Sequence, residues 1–124
     1  MTVDEALLVV RAVHGGDPLG YIRDSVLLQS AIDRPAATLF GRDAYPDVHA
    51  KAAALLHSFL RNHALLDGNK RTGWILCVLF FQINGYEERY DEDAMFDFVL
   101  EVAEGGVEDI GLIAQQLSVW FTRS

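Results

Sequence analysis

The sequence predicts an all-α fold, a compact bundle of about six helices around a central buried one. Apolar residues recur at the three- and four-residue spacing of amphipathic helices along most of the 124 residues. Aspartate, glycine and proline, which favour helix ends, lie between these stretches. We find no run that alternates apolar and polar residues as a half-buried strand does, and no internal repeat. A chain of this length suffices for one hydrophobic core, so we expect residues 1–124 to form a single domain.

End signals define the predicted helices in chain order. Thr2 and Glu5 fit a capping box, in which each side chain binds the other residue's backbone N–H, at the start of a first helix. The run Gly15-Gly16-Asp17-Pro18 ends that helix, and Asp24 is a suitable N-cap for the second. With their caps, the six predicted helices cover approximately residues 2–15, 24–33, 48–62, 71–83, 91–105 and 107–121.

The connections between these helices contain helix-breaking residues. Arg34-Pro35 closes the second helix and Asn84-Gly85 stops the fourth. Pro46 fits the first helical position of the third helix. The segment 36–45 has no helical period and contains Gly41, so we expect it to form a loop or flap near the functional site.

Composition and charge argue against several classes of function. The net charge of −8 argues against nucleic acid as the main ligand, because phosphate backbones bind basic surfaces. Leu7-Leu8-Val9-Val10 is too short for the core of a secretion signal, and the acidic Asp4 and Glu5 precede it. The single cysteine, Cys77, lies in the most apolar segment, where packing is its expected role. We therefore expect a cytoplasmic protein with no membrane partner and no direct nucleic-acid partner.

A polar stretch from Arg61 to Gly73 runs directly into an apolar segment, residues 74–81. This order indicates a site at the start of a buried helix. The first backbone N–H groups of a helix have no partners within it, and they bind anions. Gly68 allows a ligand to approach the backbone, and Lys70 and Arg71 add positive charge. The start of this helix therefore suits a phosphate group.

Two further side chains in this stretch can supply chemistry. Asp67 offers the oxygen ligand that Mg²⁺ takes together with substrate phosphates, and His63 is a candidate general base near neutral pH. Each also has an ordinary alternative role, since Asp67 could merely cap the next helix and His63 could be a C-cap or surface residue. Asn69 could be a loop-stabilising amide and Arg71 part of a surface ion pair, although together they favour phosphate contact.

The pattern His63-x-x-x-Asp67-Gly68-Asn69-Lys70-Arg71 resembles the signature of the Fic superfamily, His-Pro-Phe-x-Asp/Glu-Gly-Asn-x-Arg. With Lys70 in the variable position, the pattern is similar to that of the Doc (death-on-curing) branch. Upstream blocks are also similar to Doc sequences: Ile22-Arg23-Asp24, Leu28 to Pro35, Tyr45-Pro46 and Lys51 to His57. The likeness covers about residues 20 to 85, and Ala64-Leu65 stands where the signature has Pro-Phe.

The resemblance implies a toxin of a toxin–antitoxin system that acts as a protein kinase. His63 would take the proton of a serine or threonine hydroxyl, Asp67 would hold Mg²⁺, and Lys70 would also be catalytic. The phosphates of ATP would be bound by Gly68, Asn69, Lys70 and Arg71. The implied target is translation elongation factor Tu, which would receive the γ-phosphoryl group so that translation and growth stop. A separate antitoxin similar to Phd would neutralise the protein, and the flap would help to dock the target.

Two alternatives to the kinase stay open. A Fic-type adenylyltransferase would use the same His63 to attack the α-phosphate, but such enzymes carry glycine where this chain has Lys70 and a second arginine where it has Trp74. A catalytically silent module would keep the fold and only dock a partner, and the Leu65 substitution is the only feature that favours it. Removing His63 separates an enzyme from a silent module.

The remaining histidines and the two tryptophans have no predicted role in chemistry. His14, His49 and His57 form no convincing metal-ligand set, so we predict structural roles for them. We expect Trp74 and Trp120 to pack in the core or at its rim, because large aromatic side chains most often do so.

Overall fold

Six helices make up most of the described chain, which confirms the all-α prediction. The structure, a computed structural model, describes residues 1–15 and 20–124. The helices are α1 (Val3–His14), α2 (Ser25–Asp33), α3 (Val48–Asn62), α4 (Asn69–Ile83), α5 (Glu92–Ala103) and α6 (Ile110–Trp120). A 3-10 turn, Arg34–Ala36, follows α2 at the predicted breaker. Within the described ranges, no helix has the length and apolar character needed to cross a bilayer.

Side-chain caps begin five of the six described helices. In each case an oxygen of the cap residue accepts a hydrogen bond from a backbone N–H of the first turn, and the caps are Thr2, Asp24, Asp47, Asp91 and Asp109. The capping box predicted for α1 is present: Thr2 Oγ1 accepts from the Glu5 N–H at 3.2 Å, and Glu5 Oε1 accepts from the Thr2 N–H at 2.9 Å. Only α4 begins without a side-chain cap.

The caps correct two predicted boundaries. Asp47 caps α3, so Pro46 precedes the helix and does not occupy its first position. Asp109 caps α6, which therefore starts at Ile110 and not at Val107, and the chain leaves this helix after Trp120. Gly15 ends α1 in a left-handed conformation, as predicted, whereas the rest of that breaker, residues 16–18, lies outside the described residues.

Four short strands are present in residues 1–15 and 20–124, and no sequence pattern predicted them. Strands β1 (Thr38–Leu39) and β2 (Arg42–Asp43) form an antiparallel hairpin, and β3 (Tyr86–Glu88) pairs antiparallel with β4 (Phe121–Arg123). Strands of two or three residues are too short to display an alternating pattern, so the sequence carried no signal for them.

The hairpin corrects the expectation for segment 36–45. This segment is not an irregular loop, and its tip consists of Phe40 and Gly41, which both have positive φ. The hairpin is tied to the first turn of α3 by Lys51 Nζ and Asp43 Oδ2 at 3.3 Å. None of its residues lines the cavity described below, so a flap near the site stays a prediction.

Helices α3 and α4 lie side by side at the centre of the bundle. One cluster of buried side chains joins them to α5, α6 and β4, and a second cluster joins them to α1 and α2. Gly73 lies where the two helices meet, and a Cβ there would be in van der Waals contact, at 3.4 Å, with both Phe59 and Leu60. The loop between α3 and α4 is thus held between two rigid, buried helices.

Candidate functional site

The site is built on the loop that connects α3 to α4. Helix α3 ends at Asn62, and His63 follows in a left-handed conformation with φ 51° and ψ 49°. The side chains of His63 and Asp67 are exposed, whereas Ala64 and Leu65 between them are buried. The apolar pair that replaces Pro-Phe in the signature therefore anchors the loop in the second core cluster.

Asn69 fixes the shape of this loop through both ends of its side-chain amide. Its Oδ1 accepts a hydrogen bond from the Leu65 N–H, and its Nδ2 donates to the Leu65 carbonyl, each at 3.0 Å. The loop-stabilising role considered for Asn69 is therefore present. The amide nitrogen carries a second hydrogen, so these two bonds do not prevent contact with a ligand.

The N-terminus of α4 is open toward the loop. Gly68 is the N-cap residue, with φ 74°, and no side chain caps the helix. The first helical bond runs from the Thr72 N–H to the Gly68 carbonyl at 2.9 Å. The N–H groups of residues 69–71 have no acceptor among the described residues, so they remain free for an anion.

A cavity of about 510 Å³ adjoins this helix start, and every site residue predicted from the sequence lines it. The polar part of its lining comprises His14, His63, Asp67, Gly68, Asn69, Lys70 and Arg71. The apolar part comprises Leu60, Leu66, Trp74, Ile75, Met95, Phe96, Val99 and Ala103. The cavity therefore has one charged wall at the start of α4 and one apolar wall formed largely by α4 and α5.

The charged groups of the cavity are available to a ligand. Lys70 and Arg71 are exposed, and neither forms an ion pair with an acidic group of the described residues. Asp67 Oδ1 accepts a hydrogen bond from the Gly68 N–H at 2.8 Å. The other carboxylate oxygen has no hydrogen-bond partner among the described residues. One such oxygen fits the way Mg²⁺ is held, through a single carboxylate with phosphates and water completing the shell. No group of three His, Cys, Asp or Glu side chains among the described residues could hold a metal alone.

His14 lies in the cavity wall, although the sequence analysis gave it a structural role. Its ring stacks on Tyr21 with centroids 4.2 Å apart, and its Nε2 is buried with no hydrogen-bond partner among the described residues. A Cβ at Gly68 would lie 2.5 Å from His14 Cε1, so this ring requires glycine at the start of α4. His14 is far from the motif in the sequence, and no local pattern links the two.

The structural and packing roles predicted for His49, His57 and Cys77 are present in the structure. His49 Nε2 is 3.0 Å from the Phe121 carbonyl oxygen. His57 Nδ1 accepts from the Arg34 guanidinium at 2.9 Å, and burial, followed by the charge of Arg34, holds the pKa of His57 below its ordinary value. Cys77 is fully buried, and burial raises the pKa of its thiol, so it packs as an uncharged group.

Both tryptophans pack in the first core cluster, as predicted, with their ring centroids 6.1 Å apart. Trp74 also faces the cavity, and its indole N–H donates to the Tyr90 hydroxyl at 3.2 Å. The polar edge of Trp74 is therefore already bonded to protein, which leaves an apolar surface for the cavity.

Comparisons with known proteins agree with the motif. A sequence model of the Fic/DOC family matches residues 4–81, which extends the likeness from α1 through α3 and most of α4. The chain is 48% identical to a protein named Toxin Doc from Mycolicibacterium smegmatis over 99 residues, which cover 78% of this chain and 75% of that relative. The match includes the loop, the open start of α4 and the helices that hold them. The chain belongs to the Fic/DOC family.

Proposed function

We propose that this protein is the toxin of a toxin–antitoxin system and that it transfers the γ-phosphoryl group of ATP to a serine or threonine hydroxyl of a target protein. One observation carries the proposal: the candidate base His63 lines the same cavity as the uncapped start of α4, with Lys70 and Arg71 beside it. Base and phosphate site are therefore within one small volume. The similarity to Toxin Doc supports the toxin role.

The dimensions and lining of the cavity suit a nucleotide. Its volume of about 510 Å³ is in the usual range for small-molecule sites. The open helix start and its two cations would receive the phosphates, and the apolar wall with Trp74 and Phe96 would contact the base or ribose. A surface that only docks a protein partner would not require a charged wall and an apolar wall around one cavity.

In the proposed reaction each of these groups has a separate role. His63 takes the proton of the target hydroxyl, the hydroxyl oxygen forms a bond to the γ-phosphorus, and the bond from that phosphorus to the β–γ bridging oxygen breaks. ADP leaves, and the target carries a phosphate ester. The backbone N–H groups of residues 69–71, together with Lys70 and Arg71, stabilise the charge on the transferred group. Asp67 would hold Mg²⁺, which neutralises phosphate charge when bound.

The second candidate function is adenylyl transfer, in which His63 directs the hydroxyl to the α-phosphorus and pyrophosphate leaves. Lys70 favours the kinase, because it places a cation at the helix start where adenylylating relatives carry glycine. A silent docking module remains the candidate from a different class. Its support, the Ala64-Leu65 pair, is weakened because both residues are buried and hold the loop.

The proposed partners come from the family likeness. The target is elongation factor Tu, the neutralising partner is an antitoxin similar to Phd, and the setting is the cytoplasm. Direct binding of nucleic acid is not proposed, because the net charge is −8. The exposed apolar lip of the cavity, Leu66 and Phe96, is a suitable surface for the antitoxin.

The test incubates the purified protein with elongation factor Tu, Mg²⁺ and ATP, and measures the intact mass of the target. A gain of one phosphoryl group is expected, and His63→Asn should lower the rate by about 10²–10⁴-fold. Asparagine is chosen because it tolerates the left-handed backbone at this position, whereas alanine would add strain. Unfolding by urea provides the control that the variant is folded.

Three results would contradict the proposal in different ways. A gain of one AMP would assign adenylyl transfer, and an unchanged rate in His63→Asn would remove His63 as the base. No mass change on this target, combined with growth arrest that His63→Asn retains, would favour a silent docking module.

A further inference from the structure

The backbone of His63 is in a conformation that histidine does not favour by itself. Its φ of 51° lies in the left-handed region, which costs a non-glycine residue free energy unless the surroundings hold it. The His63 N–H makes no hydrogen bond that would close α3 in the described structure. Another part of the chain must therefore keep His63 in place.

That part is the segment 21–24, which runs antiparallel to the site loop. The N–H groups of Arg23 and Asp24 donate to the Ala64 carbonyl at 2.8 and 3.1 Å. The Leu66 N–H donates to the Tyr21 carbonyl at 2.8 Å. These bonds fix the loop after His63, but they do not act on the His63 peptide itself.

The side chain of Arg23 acts on that peptide directly. Its Nε donates to the His63 carbonyl at 2.6 Å, and its Nη2 donates to the Asn62 carbonyl at 3.0 Å. Both carbonyls lie at the C-terminal end of α3, where the helix dipole favours a cation. The rigid guanidinium fork thus determines the orientation of two successive peptide planes.

We infer that Arg23 is a positioning residue for His63. It does not line the cavity, and within the described residues its side chain donates hydrogen bonds only to backbone carbonyls, so it acts on the reaction through the histidine. Without it, the His63 peptide can relax to an ordinary conformation, which rotates the Cα–Cβ bond and moves the imidazole away from the target hydroxyl. This inference rests on the proposed role of His63 as the base.

A merely structural role for Arg23 makes different predictions. If Arg23 only capped the end of α3, its loss would lower the free energy of unfolding. The activity would then fall only in proportion to the fraction of unfolded protein. A positioning role instead lowers kcat and leaves the KM for ATP nearly unchanged, because the phosphate site at residues 68–71 has its own anchor in Asn69. A misplacement of about 1 Å is enough for roughly a 10²-fold loss of rate.

The experiment compares Arg23→Met and Arg23→Lys with Arg89→Met, a control whose exposed side chain makes no polar contact with the described residues. The first readout is NMR of the imidazole groups, since the chain has four histidines and His63→Asn assigns one signal set. We expect Arg23→Met to shift the signals of His63 and to leave those of His49 and His57 unchanged. Arg23→Lys should produce a smaller shift in the same direction, and it decides the question if Arg23→Met does not fold.

The second readout is transfer to the target at saturating ATP. We expect kcat to fall at least about tenfold in Arg23→Met, with KM for ATP within about twofold and with no change in Arg89→Met. Unchanged His63 signals, or a loss of rate that only matches the unfolded fraction, would overturn the inference. If His63→Asn keeps full activity, the proposed base fails separately, and the NMR comparison still tests whether Arg23 orients His63.

Discussion

The N-terminus of α4 differs from the other five described helix N-termini in capping, and from those of α1 and α5 in charge as well. The others begin with a threonine or aspartate whose oxygen accepts a first-turn N–H, whereas α4 begins at Gly68 with no side-chain cap. Helices α1 and α5 also carry acidic residues in the first turn, where the helix dipole favours them. Helix α4 carries Lys70 and Arg71 there instead.

This difference separates the helix starts that stabilise the fold from the one proposed to bind a ligand. An aspartate cap satisfies the free N–H groups of its helix and contributes about 1 kcal/mol of stability. At α4 that stabilisation is absent, and two cations are placed where the dipole disfavours them. A bound phosphate would supply both the missing acceptor and the missing negative charge, so α4 is the one described helix start that a ligand would complete.

The strongest test of this comparison is Gly68→Ala. The new Cβ would meet the His14 ring at 2.5 Å, and alanine would be strained at φ 74°. We expect a loss of about 2–5 kcal/mol in the free energy of unfolding from strain and overpacking together, with loss of ATP binding. Urea unfolding and calorimetric titration with Mg²⁺ and ATP measure the two effects.

Gly41→Ala is the matched control for this variant. Gly41 has a similar φ of 77°, but a Cβ at this residue would meet no atom within 4 Å, so only the backbone strain of about 1–2 kcal/mol applies. Equal losses of stability in the two variants would show that contact with His14 does not explain the glycine at residue 68.

A smaller effect is expected when an ordinary cap is removed. Asp109 Oδ1 accepts from the Gly111 N–H at 2.7 Å at the start of α6, which does not line the cavity. Asp109→Ala should lower the free energy of unfolding by about 1 kcal/mol and leave ATP affinity unchanged. A marked fall in affinity, measured by the same titration, would mean that capped helix starts also serve the site.

The smallest change in stability, and one of opposite sign, is expected for Arg71→Gln. Removal of a cation from the first turn of α4 should raise the free energy of unfolding by about 0.3–1 kcal/mol. ATP affinity should fall about tenfold, because a charge-assisted contact to phosphate is lost. Glu92→Gln, which removes a negative charge from the first turn of α5, is the opposite control and should slightly lower the free energy of unfolding. If Arg71→Gln instead lowers the free energy of unfolding, the Arg71 charge stabilises the fold, and ligand binding is not needed to explain its presence.

The sequence was sufficient to predict the features that depend on neighbouring residues. The caps at Thr2, Asp24 and Asp91, and the grouping of His63 with residues 67–71, follow from short-range spacing along one loop and one helix start. These features are local, so their signals are complete within a few residues.

The features that were missed depend on tertiary packing. His14 reaches the site because α1 packs against α4, and Arg23 reaches His63 across a chain separation of 40 residues. No periodicity or cap signal encodes such contacts. The hairpin at 38–43 was missed for another reason, since its strands are two residues long and were interpreted as a flap at the site.

The hydrogen bonds between segment 21–24 and the loop at 62–66 also have a consequence for folding. They close a loop of about forty residues, so the site is assembled by a non-local contact and not by α3 and α4 alone. If Arg23 positions His63 as inferred above, the newly synthesised chain gains a competent site only when its N-terminal third has docked. Local opening of that third would disrupt the proposed site while the core cluster of α3 to α6 stays folded.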